Sequence, residues 1–494
     1  MTQTFRLEAV QLQGVGVFDN TLIRFKPIEC AERDEKLAEI HLFTGPNGCG
    51  KSTLLYALAE IFEFTNSLNS LIISRFRNAE SQVDFCFDEQ SGQYRTKISS
   101  IGSNQFGSFS QWVVNDPNKG KVFRYGNNFP NRLESYKRTI ISFQPNNPHN
   151  QTIFAFAAFA YSGQRTLRSE PLVGIQEIAN SPFESALSFE NTSRPKVLLQ
   201  WIANNRTKSA LAKMDNNLQD AAGYDLALER ITRLIYDVCD MDVEFRLERS
   251  PLAVTVRVNG DSIQFDGLPD GLKSIISWVA DLSLRLEAIL WEAEQDIFSQ
   301  PIILFLDEVD IHLHPKWQRR ILPAIQKLLP NAQIFVSTHS PFVVGSVENA
   351  WVYRLPEPGA KTDGILEIEG IPSGAGKSYR LILNEIFDID KEFDVETEAL
   401  FDDFYQARAM FLKTPTNADE MIKIAGLLAA RGEEAAAIVA RELVSVHPPL
   451  GARASRPLKW RPRWPRSQQK AGGSERLREL RQLSRVTGVE VSLA

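Results

Sequence analysis

An α/β fold, in which a parallel sheet presents a phosphate-binding loop and a pair of acids at its strand ends, is predicted by three stretches of this sequence. The first is Ile40-His41-Leu42-Phe43-Thr44, which reads as a buried strand, followed by Gly45-Pro46-Asn47-Gly48-Cys49-Gly50-Lys51-Ser52-Thr53 and the apolar helical run LLYALAEIF. A GxxxxGK(S/T) loop between a strand and a helix is the arrangement that cradles nucleotide phosphates. The second is Pro301–Leu306, an apolar run that ends in Asp307 and Glu308. Such a run suits a strand of a parallel sheet buried on both faces, with the acids delivered at its C-terminal edge. The third is Ala332-Gln333-Ile334-Phe335-Val336, a similar strand leading to Ser337-Thr338-His339-Ser340-Pro341.

The residue types in these stretches carry a common chemistry. Glycines let backbone N–H groups converge on phosphate oxygens, and the helix N-terminus adds its positive dipole end. Lys51 would reach the β- and γ-phosphates of ATP, and the Ser52 hydroxyl would ligate Mg²⁺. Asp307 would hold the same Mg²⁺, through water, while Glu308 would orient or deprotonate the attacking water. His339 is placed to sense the γ-phosphate.

Length and composition narrow the classes. At 494 residues there is room for two or three domains, and 43% hydrophobic with 23% charged residues excludes disorder as the main state. The longest uninterrupted apolar run, Ile153–Tyr161, is nine residues, where a spanning helix needs about 20. MTQTFRLE has no basic segment leading into an apolar one, so no secretory signal is read there. Cys30, Cys49, Cys86 and Cys239 lie far apart with no CxxC spacing, which argues against a disulfide framework or zinc knuckle. A cytoplasmic chain without membrane association is expected. The formal charge of −6 hides an asymmetry: residues 451–494 hold eleven Lys and Arg against three Asp and Glu. This Arg-, Pro- and Trp-rich tail has the composition of segments that track a phosphate backbone or dock on an acidic surface.

The other elements follow in order. Val83–Phe87, Lys121–Tyr125 and Thr139–Phe143 read as strands among polar loops. Phe154–Tyr161 reads as one strand ending in Ser162-Gly163-Gln164-Arg165. Lys196–Asn204 and Leu226–Val238 read as helices without sustained heptads, which disfavours a long coiled-coil arm. Strands at Asp242–Leu247, Leu252–Val258 and Ser262–Phe265 lead to Leu268-Pro269-Asp270-Gly271-Leu272-Lys273-Ser274 and an amphipathic helix with Ile275, Ile276, Val279, Leu282, Leu286 and Ile289 on its apolar face. His312 and His314 form an HxH pair beside the acids, which reads as a turn into the helix KWQRRILPAIQKLL rather than a zinc site. Gly370–Ser378 imitates a phosphate loop, but Ile371 stands where the first glycine belongs, so a connecting loop is expected. A strand-like VYRL, an acidic helix over Phe393–Leu412 and one alanine-rich helix over Ala418–Val446 complete the chain. Asp388-Ile389-Asp390 matches DxD formally but lies between helices, as a linker would.

GPNGCGKST, LFLDEVDIHLHP and FVSTHSP together resemble the ABC-type ATPases of the overcoming-lysogenization (OLD) and related prokaryotic defence groups, which share a head domain with SMC and Rad50 proteins. The resemblance covers residues 1–80 and 240–390. It implies an ABC-type P-loop ATPase head with an α+β insertion and C-terminal helices. It also implies a dimer that closes over ATP between one subunit's loop and the other's signature motif. Leu268–Ser274 stands at the signature position, with Gly271 retained and Pro269 where the family has serine, which implies slow hydrolysis. The family's magnesium-sensing glutamine maps to Gln164, and Arg165 becomes a phosphate or interface arginine.

OLD nucleases append a Toprim domain, for which the segment after residue 390 leaves little room. Short C-terminal helices and LPDGLKS most resemble the PtuA family, the ATPase subunits of Septu-type defence systems, which also occur beside retron reverse transcriptases. That resemblance implies a regulator of a separate HNH nuclease of the PtuB kind, with retron reverse transcriptase, its msDNA or another nucleic acid as further partners. A self-contained OLD-like nuclease and a DNA-repair clamp ATPase of the SMC/Rad50 type stay open as alternatives. The expected organisation is an N-terminal part of the head over 1–80, an insertion over 81–240, the remainder of the head over 241–370, a helical region over 371–450 and the basic tail over 451–494.

Overall fold

A computed structural model describes residues 5–27, 37–63, 72–78, 81–88, 90–95, 131–143, 152–163, 172, 174–189, 191–359, 364–373, 377–413 and 418–445. The chain divides into two compact units, Met1–Asp388 and Ile389–Ala494.

The first unit begins with the hairpin β1 (Leu7–Val15) and β2 (Phe18–Arg24), then β3 (Glu39–Thr44) and helix α1 (Lys51–Glu60). After β4 (Gln82–Phe87), β5 (Gln90–Arg95) and α2 (Asn131–Ser142) come β6 (Ile153–Phe154) and β7 (Ala157–Tyr161). Two long helices, α3 (Pro195–Met214) and α4 (Leu218–Cys239), precede the meander β8 (Val243–Arg249), β9 (Leu252–Val258) and β10 (Asp261–Ile263). Helix α5 (Asp270–Glu287), β11 (Leu290–Trp291), β12 (Ile302–Leu306), α6 (Pro315–Leu328) and β13 (Ala332–Ser337) follow. Short α7 (Pro341–Val344), β14 (Ala350–Arg354), β15 (Leu366–Ile368), β16 (Ile371–Pro372) and α8 (Tyr379–Phe387) close the unit.

Six strands form the central sheet in the order β16-β14-β3-β13-β12-β7, parallel except for β16. A second sheet, β15-β2-β1-β4-β5, is antiparallel apart from the β15–β2 pair. Strand β3 is the first central strand in sequence but lies inside the sheet, between β13 and β14. The loop after it therefore opens at a point where strand order reverses, outside the carboxyl ends of the strands, where α/β sheets bind ligands. Strands β3, β12 and β13 are buried along their whole length, as their apolar runs require.

One buried polar cluster ties the two sheets together. The Arg6 Nε donates to Glu39 Oε2 at 2.9 Å, His41 Nε2 lies 2.7 Å from Glu39 Oε1, and Gln333 Nε2 donates to Glu39 Oε1 at 3.1 Å. The His41 ring stacks on Phe335 with centroids 5.1 Å apart, inside an aromatic group with Phe25, Phe43 and Tyr353. Burial pushes the Glu39 carboxyl up, but the His41 and Arg6 contacts outweigh it and hold the group at about 2, against an ordinary 4.5. A depressed carboxylate contributes stability above its unfolded pKa and loses it as pH falls through the folded value; here the window is about 4.5 down to about 2, and the contribution is on the order of 3 kcal/mol. The apparent urea midpoint should fall across that window. Glu39→Gln should be less stable at pH 7 and flatter below pH 4.5, and an unchanged acid profile in that variant would refute the assignment.

The structure revises several local expectations. Thr139–Phe143 is not a strand. Thr139 to Ser142 close helix α2, whose Leu133, Tyr136 and Ile140 are buried at helical spacing, overriding the β-branched residues nearby. Phe154–Tyr161 is two strands, because β6 pairs with β11 while β7 pairs with β12 in the central sheet. The strand expected over Ser262–Phe265 stops at Ile263, and Phe265 opens a tight turn. Within Gly370–Ser378, Ile371 and Pro372 pair antiparallel with β14, and Ser378 caps α8 by accepting from the Leu381 N–H at 3.3 Å. Lys121–Tyr125 and the basic tail lie outside the described residues.

In the second unit, α9 (Val395–Lys413), α10 (Asp419–Arg431) and α11 (Glu433–Ser445) bury Phe401, Phe404, Met421, Leu428 and Val439 among them. The single alanine-rich helix expected over Ala418–Val446 is thus two, broken at Gly432, where extended backbone ends α10. Among the described residues no helix is long and apolar enough to cross a membrane.

Candidate functional site

The loop from Gly45 to Gly50 follows β3 and enters α1. Gly45, Gly48 and Gly50 have φ of 147°, 80° and 96°, a region closed to most side chains. Space adds a second constraint. A Cβ on Gly45 would sit 2.8 Å from the Leu355 carbonyl oxygen, and one on Gly50 would meet Val17 and Phe18 at 2.7 and 2.8 Å. Pro46 and Asn47 form the turn between the first two glycines, with Cys49 N donating back to the Pro46 carbonyl at 3.4 Å. Cys49 is 1% exposed, so a thiol reagent has little access to it. Lys51 Nζ donates to the Gly45 and Pro46 carbonyls at 3.0 Å each, which places its ammonium inside the loop. Ser52 and Thr53 stand in the first turn of α1, Ser52 half-buried and Thr53 buried. Arg75 donates to Thr53 Oγ1 at 2.9 Å and lies over the Tyr56 ring, a neighbour that no motif announced.

Strand order brings the remaining residues to this loop. Because β13 lies between β3 and β12, the residues after all three strands stand side by side at one edge. Ser337 pairs with Phe43, and Leu306 with Val336. Asp307, 4% exposed, follows β12 and its N–H donates to the Tyr161 carbonyl of β7 at 2.9 Å. Glu308 follows with φ of +50°, an uncommon conformation for a residue with a Cβ. Burial raises the Glu308 pKa, the neighbouring Asp307 and Asp310 raise it further, and Lys51 opposes them. His339 is exposed at the end of β13; partial desolvation and then the Lys51 charge lower its pKa, favouring the neutral ring. Lys51, Glu308 and His339 are therefore electrostatic neighbours, although far apart in sequence.

Hydroxyls lock this edge. Ser337 Oγ donates to Asp307 Oδ1 and accepts from the Glu308 N–H at 2.7 Å. Thr338 Oγ1 donates to Asp310 Oδ1 at 2.7 Å, and Ser340 Oγ donates to Gln318 Oε1 at 2.7 Å. On the far side, a Cβ on Gly163 would lie 2.4 Å from the Glu308 carbonyl oxygen, so only glycine fits there without a shift. These contacts were not readable beforehand; the hydroxyls in STHS were the one available signal.

Gln164 lies outside the described residues, as does Arg165. Gly271, in the first turn of α5, packs on the turn after the acids: its Cβ position is 2.6 Å from the His312 carbonyl oxygen and 3.0 Å from the Trp317 ring. His312 and His314 are both exposed, and His314 Nδ1 accepts from the Lys316 N–H at the start of α6. Among the described residues no group of three His, Cys, Asp or Glu side chains could hold a metal ion. Asp388 caps α8 with φ of 54° and pairs with Arg354.

A parallel sheet with a glycine loop at its switch point and acids at the end of the next strand but one defines an α/β P-loop ATPase fold. The chain belongs to the family described as "AAA domain, putative AbiEii toxin, Type IV TA system", which matches residues 40–345, more than half of its length. Its distant relatives include "Retron Vc95 probable ATPase" of Vibrio cholerae serotype O1 biovar El Tor, 23% identical over 70% of this chain and 74% of that protein. "Septu protein PtuA" of Bacillus thuringiensis is 22% identical over 82% of this chain and 93% of that protein. Among solved structures, the SMC head domain from Thermotoga maritima aligns over 75% of this chain and all of that one, at 15% identity and a TM-score of 0.36.

Proposed function

We propose that this chain is an ATP-binding, slowly hydrolysing regulatory ATPase of an anti-phage defence complex, and that it controls a partner HNH nuclease. The observation that carries the nucleotide reading is the convergence of Lys51, Asp307, Glu308 and His339 on one sheet edge beside a loop whose glycines all have positive φ, with no room for a side chain at Gly45 or Gly50. The names of the retron and Septu relatives support the defence setting.

In this reading the N–H groups of Asn47–Thr53 and the Lys51 ammonium bind the phosphates, and Lys51 exchanges its contacts with the Gly45 and Pro46 carbonyls for phosphate oxygens. The half-buried Ser52 hydroxyl and the Asp307 carboxylate are hard oxygen donors, as Mg²⁺ requires, with Gln164 as a further candidate. The bound Mg²⁺ would neutralise charge on the transferred phosphoryl group. Glu308, its pKa raised, takes the proton of the attacking water, and His339 donates to the γ-phosphate region as a neutral imidazole. The exposed start of α5, Pro269 and Asp270, faces a second copy of the chain across an ATP-linked dimer, with Gly271 packed behind it on His312 and Trp317, and Pro269 in place of serine slows turnover. Retron reverse transcriptase and its msDNA join the complex in the retron setting.

The test uses the purified chain alone. Fluorescent-nucleotide titration should show ATP binding that Lys51→Ala weakens by about tenfold or more, because a phosphate-paired ammonium is lost. Plasmid DNA and total RNA with Mg²⁺ or Mn²⁺ should stay intact with or without ATP. Cleavage that follows the chain through purification and disappears in Asp388→Ala/Asp390→Ala would instead establish a self-contained nuclease.

A further inference from the structure

Ser337 is fully buried at the end of β13 and makes contacts that no other side chain in the site makes. A hydroxyl has one proton to give and two lone pairs. Here the proton goes to Asp307 Oδ1, and a lone pair takes the Glu308 N–H at 2.7 Å. One oxygen atom therefore orients the carboxylate of the first acid and holds the backbone of the second.

The backbone of Glu308 needs holding. At φ of +50° it occupies a region that residues with a Cβ rarely adopt unless their surroundings impose it. Its N–H is fixed by Ser337. Its carbonyl accepts from the Ile311 N–H at 3.2 Å and lies against Gly163, where a Cβ would come within 2.4 Å. The conformation thus has a support on each side: a hydroxyl from β13 and a missing side chain after β7. It re-aims the Glu308 carboxylate relative to the run of β12, which buried strand geometry alone would not do.

We propose that Ser337 is the positioning residue of this site, setting the Asp307 carboxylate for the cation and the Glu308 carboxylate for the water through one shared hydroxyl. The inference rests on the reading of Asp307 and Glu308 given above. It assigns Ser337 no contact with nucleotide, so its loss should move the chemical step and cation affinity and leave ATP affinity alone.

The experiment compares the wild type with Ser337→Ala, Ser337→Thr and Gly163→Ala, using the full chain. Ser337→Ala should lower kcat by about tenfold or more, with KM for ATP and the fluorescent-nucleotide Kd within about twofold of wild type, since the lost interaction acts in the chemical step. Mn²⁺ binding in the presence of nucleotide, followed by electron paramagnetic resonance, should weaken severalfold in Ser337→Ala. Ser337→Thr, which keeps the hydroxyl, should recover Mn²⁺ affinity. Gly163→Ala, whose nearest new contacts are all with Glu308, should lower kcat and leave Mn²⁺ affinity unchanged. Ser337→Ala with wild-type kcat and Mn²⁺ affinity would overturn the proposal. So would a joint loss of ATP affinity, Mn²⁺ affinity and turnover, which marks a collapsed site. If Glu308→Gln also turned over normally, the fault would lie in the reading of the acids and not in the role of Ser337.

Discussion

Glu308→Gln should reduce ATP turnover by about two to four orders of magnitude, the range that a positioned general base contributes, and leave ATP affinity within about threefold of wild type. The substitution keeps size and shape, so the left-handed backbone, the Ser337 contact and the Gly163 packing can persist. What disappears is a carboxylate whose pKa is raised by burial and by Asp307 and Asp310 against the opposing Lys51 charge, the direction that favours accepting a proton. Lys51 and the loop glycines, to which the proposed function gives the phosphates, are untouched. Single-turnover hydrolysis together with nucleotide titration separates the two effects. A variant that binds ATP and hydrolyses it at the normal rate would remove Glu308 from the chemistry.

The second large effect is on stability. Asp281 and Arg285, one helical turn apart on α5, are 1% and 0% exposed, and Arg285 Nε donates to Asp281 Oδ2 at 2.6 Å. The rest of the guanidinium donates to the carbonyls of Pro182, Glu184 and Thr192. Tyr161, the last residue of β7, donates to Asp281 Oδ2 at 3.0 Å, and Arg194 Nε donates to Asp281 Oδ1 at 3.5 Å. Desolvation is the main cause of the raised Tyr161 pKa, and Asp281 adds to it. Asp281→Ala strands Arg285 as a buried, uncompensated charge and should cost about 3–5 kcal/mol. Asp281→Ala/Arg285→Met, which removes the charge as well, should recover part of that loss. The readout is the apparent denaturation midpoint of each variant. A midpoint for Asp281→Ala equal to that of wild type would show that the cluster does not brace α5 against β7.

Much of the site was legible because its chemistry is local. GPNGCGKST carries its own geometry: the glycines at 45, 48 and 50 take the positive φ values that such a loop requires, and the apolar run on either side sets the strand and the helix. Asp307 and Glu308 were legible for the same reason, since carboxylates directly after a buried strand can only emerge at the sheet edge. The errors fell where neighbours outweighed the local pattern. Thr139–Phe143 looks extended by residue type, yet its helix buries Leu133, Tyr136 and Ile140 on one face. The run Ile153–Tyr161 has no internal break signal, and it divides because its halves pair with β11 and β12.

The glycine loop, the acids after β12 and His339 after β13 could each be read from a dozen consecutive residues, and the α/β class from the three stretches together, because they follow from backbone freedom, periodicity and charge. That β13 lies between β3 and β12 emerges from the folded sheet alone. That order makes Lys51, Glu308 and His339 neighbours, turns Ser337 into a bridge between two acids, and presses Gly163 against Glu308. Lateral strand order has no signature in local periodicity; it is set by which faces bury best against one another across hundreds of residues.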